Sequence, residues 1–539
     1  MTRDLHLVDP HAWDPTLGRQ DIVVRHGRFT LVNTVLTPQQ AMIEDLLAIR
    51  DALDAAGIGL LLIRRTSAAY GTGDRPVLAI DRKQRAQVAA ALAKAFAAEP
   101  FYAKAPGEPA QFVGDGRLGR TGKARILTLF RPRIEPVGGL RYGASNGVRI
   151  EFWDFGADEI RAPAENAIMR RRLPREEAID ETVTRYGREW KSLAGMFESH
   201  ATDVTFDIDM VFSWVDGTDI EFQRARAARM QAYIVGDGDD SEARYRQIDE
   251  LKYALRSVYL FAPWVRRIFI VTDSPRPAWL DEHPSVTIMR SEDFFADVSV
   301  LPTHNSHAVE SQLQHIPGLA EHFIYSNDDM FFGRPVSPEM FFSPGGVTKF
   351  IEATTRIGLG ENNPVRSGFE NAARVNRNLL REKFGRVTTR HLEHAATPLR
   401  KSILLEMECE FAEDFARTAA SAFRSSTDIS VTNSLYHYYA LLTGHAVVQT
   451  EARVKYVETT LKVALKQMDD LLAHRSYDFF CLNDGSAPEI SVEERTAAVR
   501  RFLDRYFAIP APWETASSNA TQEPSRSASS SAARAEPAH

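Results

Sequence analysis

Cysteine is nearly absent: the chain has only Cys409 and Cys481 among its 539 residues. That is too few for a disulfide framework, and two reduced buried thiols are the expected state. No run of about 18 apolar residues occurs, so no membrane span is expected. The opening MTRDLHLVDPHAWDP lacks the apolar core of a secretory signal. A cytoplasmic protein is therefore expected, and peripheral attachment at the inner face of a membrane is compatible with it. An excess of basic residues is missing too, with 65 Lys and Arg against 72 Asp and Glu and a net charge of −7. Nucleic acid is therefore not an expected partner. The local run MRRRLPR, residues 169–175, reads as a solvated helix face. No GxxxxGK[ST], no GxGxxG after a strand and no GxSxG elbow is present. This counts against a P-loop kinase, a simple dehydrogenase and an α/β-hydrolase.

The composition, 44% hydrophobic and 25% charged, is that of a globular protein long enough for two or three domains. Three zones separate by texture. Residues 1–200 read as an α/β accessory domain. IVVRHGRFTLVN alternates like a strand pair, and TPQQAMIEDLLAIRDALDAAG carries a capping threonine, a proline at the first helical position and apolar residues at helical spacing. Two short apolar strands, a second helix and a strand VRIEFWDF come next. Residues 201–512 alternate strands with helical segments, which predicts a Rossmann-like, mainly parallel sheet. Residues 513–539, rich in Ser, Ala and Pro, cannot bury enough apolar surface to offset ordering and read as a disordered tail.

Within the second zone, three apolar strands end in polar residues: Trp214-Val-Asp216, Val271-Thr-Asp273 and Ser326-Asn327-Asp328-Asp329. Ligands of parallel sheets bind at the carboxyl ends of the strands, so these groups are expected at one rim. Adjacent carboxylates suit a divalent cation, Mg²⁺ or Mn²⁺, which takes hard oxygen ligands. They serve equally in turns. In LPTHNSHAVE, Ser306 opens a short helix whose N-terminus would favour an anion. His391 and His394 are three apart, as on one helix face, and either would serve as a base near neutral pH. Arg424 and Asp428 are spaced to pair on a helix, and Arg suits bidentate phosphate binding. Tyr436, Tyr438 and Tyr439 read as core.

Several segments together resemble the Stealth family of sugar-phosphate transferases. FDIDMVFSWVDGTD is similar to its first region. ELKYALRSVYLFAPWVRRIFIVTD through LPTHNSHAVESQLQHIPGLAEHFIYSNDDMFFGRPV resembles the second, RHLEHAATPLRK through AFRSSTDISVTNSLYHYYALLTG the third, and CLNDG the fourth. The resemblance implies transfer of a hexose 1-phosphate from a nucleotide sugar, typically UDP-linked, to a glycan hydroxyl. A phosphodiester forms and the nucleoside monophosphate leaves, so the enzyme class is that of transferases of phosphorus-containing groups. It implies His394 as general base, with His391 as competitor. It puts Arg424 on the diphosphate with Asp428 as acidic partner, and Asp328 and Asp329 on the metal or the sugar. Trp214, Asp216, Asp273, Asn305, Ser306, Glu310, Asn327 and Asn483 fall to substrate binding. Two rival readings stand beside it: a metal-dependent glycosyltransferase releasing UDP, and a non-catalytic carbohydrate-binding or assembly protein.

Overall fold

The computed structural model describes residues 19–65, 75–116, 118, 124–220, 223–224, 226–227, 248–485 and 488–515. The Gly/Thr-rich loop after residue 65, most of the charged stretch before residue 248, and residues 516–539 of the expected tail lie outside them. Among the described residues no helix is long and apolar enough to cross a membrane.

The N-terminal zone is α/β, as its texture predicts. The IVVR and RFTLV segments form a hairpin turning through His26 and Gly27, both at positive φ. Thr37 caps the helix Pro38–Ala55 and exchanges hydrogen bonds with Gln40 in a capping box. VRIEFWDF, Val148–Phe155, is a central strand, parallel to Val77–Asp81 and antiparallel to Ile126–Phe130. Beneath it Asp45, 1% exposed, takes hydrogen bonds from Arg131 Nε at 2.7 Å and Arg133 Nη2 at 2.8 Å. MRRRLPR is not a helix face: Arg172–Pro174 is a strand beside Glu159–Arg161, and the arginines point outward from it. The N-terminal zone shares its core with the second zone. Ala41, Leu140 and Tyr142 belong to the same apolar cluster as Phe212, Phe261 and Phe480.

The second zone is built on a mixed sheet in which four strands run parallel. Its strands are β1 (Ile208–Ser213), β2 (Ile268–Val271), β3 (Val286–Met289), β4 (His322–Asn327) and an antiparallel edge, β6 (Thr397–Arg400), in the order β3–β2–β1–β4–β6. These strands are apolar and nearly continuous because both faces are covered. Helix α1 (Glu250–Phe261) packs one face with ten of its twelve residues buried. The aromatic helix Tyr436–Leu442 lies on the other, where Tyr436, Tyr438 and Tyr439 are core. A small second sheet joins β5 (Met330–Phe332), β8 (Phe479–Asn483) and β7 (Val454–Glu458), with β8 in the middle. Its core side packs Phe331, Phe480 and Phe507 face to face.

Two expectations change here. The ordered chain continues past residue 512: Trp513 is buried in the core, and Glu514 pairs with Arg256 at 2.6 Å. The Trp indole supplies apolar area and the Arg256 guanidinium a charge partner, and tail composition concealed both. The two cysteines are free, but only Cys481 is buried and Cys409 is exposed.

Candidate active site

Parallel pairing puts the ends of β2, β1 and β4 side by side. Ser213 is in register with Val271 on one side and Asn327 on the other. Trp214, Asp216, Asp273, Asp328 and Asp329 therefore leave the sheet at one rim, as their strand-end positions predict. Their carboxylates do different work. Asp273 is occupied by its neighbour: Ser291 donates its N–H to Oδ1 at 2.8 Å and its hydroxyl to Oδ2 at 2.7 Å. Asp216 Oδ1 closes the DGT turn, accepting from the Thr218 N–H at 2.9 Å and hydroxyl at 2.7 Å. Both shape the rim. Trp214 is buried there, its N–H on Val271 O.

Asp328 and Asp329 sit where β4 crosses into β5. Asp328 is crowded: burial and the like charges of Asp329 and Glu250 hold its carboxyl well above the usual carboxylate range. Asp329 Oδ2 accepts from the Cys481 thiol at 3.5 Å, and burial beside these acids pushes that thiol upward, keeping it protonated. The register explains the meeting. Cys481 is paired with Met330 across β5–β8 and with Tyr456 across β8–β7, so three strands present one row of side chains next to Asp329.

Tyr456 carries that row to the histidines. Asn483 lies near its hydroxyl, and its ring meets His394 edge-on at 5.1 Å. Phe369 stacks on His391 at 4.7 Å and lies 6.4 Å from His394. The pair is not on a helix. His391 is on the strand Arg390–Leu392, which pairs with Glu352–Arg356, and His394 on the turn before β6. Burial, and then the neighbouring His391, holds the His394 imidazole below its ordinary value, so it is neutral at pH 7. His391 is also lowered, mainly by burial.

A second cluster flanks β4. Asn305 caps the short helix α2 (Ser306–Glu310) and donates to Asp428 Oδ2 at 2.8 Å. The Ser425 N–H reaches the same oxygen at 2.9 Å. Arg424 Nη2 donates to Ser306 Oγ at 2.7 Å. Arg424 and Asp428 are thus in a loop, not paired along a helix. Asp428 is fully buried and fastens the loop, which leaves Arg424 beside Ser306 at the surface side. Glu310 accepts from Thr432 at 2.7 Å, and the Tyr325 hydroxyl lies between Glu310 and Asn327, 3.3 and 3.1 Å from their oxygens. That hydroxyl, raised well above its ordinary value by burial and Glu310, stays protonated. Tyr325 is on β4 and ties the Arg424 cluster to the strand that delivers Asp328 and Asp329.

Asn483 and Asp484 close the far side. Asp484 is held by Arg495 at 3.3 Å and by Thr459. A Cβ on Gly485 would collide with Glu458, so glycine lets the CLNDG segment pass close to β7. The structure therefore gathers His394, Asp329 and Asn483 around Tyr456, with Asp328 beside Asp329 and Glu250, and Glu310, Asn327 and Arg424 around Tyr325, with Asn305, Ser306 and Asp428 linked to Arg424 and its loop. Neither tyrosine is singled out by sequence pattern, since each reads as one apolar position in a strand. Among the described residues no group of three or more His, Cys, Asp or Glu is disposed to hold a metal ion.

Four family profiles match the chain in order: Stealth protein CR1, conserved region 1, over residues 206–234; CR2, conserved region 2, over 244–350; CR3, conserved region 3, over 393–441; and CR4, conserved region 4, over 469–525. His394, Arg424 and Asp428 fall inside the third region, whereas His391 and Tyr456 fall outside all four. The chain is 60% identical over 496 residues to the exopolysaccharide phosphotransferase CpsY of Mycobacterium tuberculosis (strain H37Rv), covering 92% of each chain. It is 54% identical over 482 residues to the exopolysaccharide phosphotransferase of Nocardia farcinica, covering 89% of each. Among solved structures, the galactosyltransferase LgtC aligns with 12% identity and a TM-score of 0.27 over 56% of this chain and 96% of that one. A similarity that low carries no argument.

Proposed function

The chain belongs to the Stealth family, and from that premise we propose that it is an exopolysaccharide phosphotransferase moving a hexose 1-phosphate from a UDP-sugar to a glycan hydroxyl. The observation that carries this reading is Tyr456, whose ring edge meets a neutral, partly buried histidine and whose hydroxyl feels the charge of Asp329 at the end of a parallel strand, with an Arg–Ser pair flanking the same strand.

The chemistry assigns each group a task. Phosphoryl transfer is mostly positioning and charge stabilisation, with one proton to remove. His394 accepts the proton of the acceptor hydroxyl as its oxygen attacks the sugar-bearing phosphorus. The bond from that phosphorus to the bridging oxygen breaks, and UMP leaves with the electron pair. The hexose keeps its anomeric C–O bond throughout. Arg424, oriented by Ser306, stabilises the diphosphate with its guanidinium fork. Trp214 and the rim shaped by Asp216 and Asp273 bound the nucleotide, and Tyr456 sets its ring edge against His394, with Asn483 beside it at the substrate rim.

Asp328 and Asp329 fit Mg²⁺ or Mn²⁺ by donor chemistry: they are hard oxygen ligands, and their mutual crowding is relieved by a cation. With two carboxylates available, phosphate oxygens and water would complete the coordination. A bound cation supplies charge neutralisation at the diphosphate.

Incubation with UDP-sugars, Mg²⁺ or Mn²⁺ and an oligosaccharide acceptor tests the reading through the released nucleotide. UMP that depends on acceptor supports it. UDP would make the protein a glycosyltransferase acting at the anomeric carbon. Donor binding without turnover would make it a binding or assembly protein.

A further inference from the structure

Between the second and third matched regions lies a segment, residues 351–392, that neither profile covers. It holds helix α3 (Gly368–Phe384) and the loop before it. Three arginines converge there. Arg374, 4% exposed, donates Nη1 to the Glu370 carbonyl at 2.7 Å. Arg377 donates to the Gly358 carbonyl at 3.1 Å and the Gly360 carbonyl at 3.5 Å. Arg366 stands over the same loop, where a Cβ on Gly360 would lie 3.8 Å from its Nη2. Gly358 lies close against Arg374: a Cβ on it would lie 2.5 Å from Arg374 Nη2, so any larger residue there would displace the guanidinium. Asn371 binds the loop to α3 through Asn363 and Arg366 O.

The charges in this cluster do not balance. Arg374 has one carboxylate near it, the exposed Glu370 at 3.9 Å, and among the described residues no ion pair holds Arg366 or Arg377. Arg374 Nε and Arg366 Nη1 are buried with no hydrogen-bond partner among the described residues. Burial and the charges of Arg366 and Arg377 push the Arg374 guanidinium downward, the response of a cation crowded by others. Buried guanidinium donors left open cost stability unless an anion fills them. The location is next to the chemistry. Phe369, on α3, stacks on His391 and reaches His394. Asn362 donates to Ser426 O at 2.7 Å, tying the loop to the Arg424 segment.

We propose that Arg366, Arg374 and Arg377 form a phosphate-binding cradle between the His394 turn and the Arg424 loop. The ligand chemistry is a phosphoryl group carrying two or more acceptor oxygens, which planar guanidinium forks bind bidentately. Two sources offer it, the diphosphate of the donor and a phosphodiester already in the glycan acceptor; both names rest on the transfer reading, the cradle itself does not.

The test is calorimetric binding of pyrophosphate, UDP and a methyl hexosyl phosphodiester to the full chain and to Arg366→Gln, with Arg377→Gln as a second variant and thermal unfolding as the check on folding. Loss of a charge-assisted contact is expected to weaken binding about 10- to 100-fold, and Arg366→Lys is expected to recover only part of it. Weakening confined to UDP and pyrophosphate identifies the donor as the source, and weakening confined to the phosphodiester identifies the acceptor. Pyrophosphate binding lost in the variants, in a protein that turns over no UDP-sugar, keeps the cradle and removes the transfer reading. Affinities unchanged in both folded variants, or no binding of any of the three probes to the unmodified chain, overturn the cradle.

Discussion

Replacing His394 by alanine removes the proposed base, and the structure specifies how the loss should look. General-base assistance contributes about 100- to 10,000-fold, or about 2.7–5.5 kcal/mol at 1.36 kcal/mol per factor of ten. Among the described residues His394 makes no contact with the Arg424 cluster, so donor affinity measured by calorimetry is expected to persist. The pH profile adds a sharper criterion. The active form is the neutral imidazole, and burial with His391 nearby lowers its pKa. Activity should therefore be level through neutrality and fall on the acid side, with the limb below the ordinary histidine value of about 6.5. His391→Ala removes a neighbour that opposes protonation of His394, so it should move the limb upward. Burial is the larger cause, so the limb should still lie below the ordinary value. Steady-state kinetics from pH 4.5 to 8.5 on the three proteins is the assay. A wild-type limb at or above 6.5, or His394→Ala retaining full turnover while His391→Ala abolishes it, would refute the assignment.

Other substitutions probe the remaining parts. Arg424→Lys keeps a charge but loses the fork that engages Ser306, and kcat/KM should fall at least about tenfold; an active lysine variant would show that charge alone suffices. Tyr456→Phe keeps the ring edge against His394 and removes only the hydroxyl near Asn483, so kcat should fall by no more than about fivefold, the worth of one neutral hydrogen bond of about 1 kcal/mol. Tyr456→Ala also removes the ring edge against His394, and should lower kcat further and shift the acid limb; an unchanged profile would make Tyr456 a bystander. In the N-terminal zone, Asp45→Ala leaves Arg131 and Arg133 buried without their shared carboxylate, and urea unfolding should show a loss of about 3–5 kcal/mol. A loss under about 1 kcal/mol, the range of an exposed pair, would mean that Glu44 and Glu99, which also reach Arg131, carry the charge balance.

Where the sequence pattern is dense, it specifies the architecture closely. Val148–Phe155 is the whole of VRIEFWDF, and Thr37 and Gln40 make the capping box that their spacing suggests. The strand-end acids at 216, 273, 328 and 329 share one rim because parallel strands must align their carboxyl ends. What each acid does is not legible in the sequence, since Ser291 on Asp273 and Thr218 on Asp216 are partners chosen by local turn geometry. The helical spacing of His391 with His394 and of Arg424 with Asp428 is misleading. Both pairs lie on strands, turns or loops held by tertiary contacts, Phe369 for the first and Asn305 for the second. Tyr456, Tyr325 and the three arginines of the 351–392 segment escape sequence reading for a common reason: each acquires meaning only from a register or a crossing that joins distant parts of the chain.

The fate of the sugar-bearing phosphorus tests the central claim most directly. A UDP-hexose labelled with ³²P in the β-phosphate would be incubated with the protein, metal and glycan acceptor, and the label followed into glycan or nucleotide. Sugar-phosphate transfer predicts label in the glycan as an alkaline-phosphatase-resistant phosphodiester, with unlabelled UMP released and the signal lost in His394→Ala. Label recovered in UDP, with an unlabelled glycan extended by one hexose, would contradict the account.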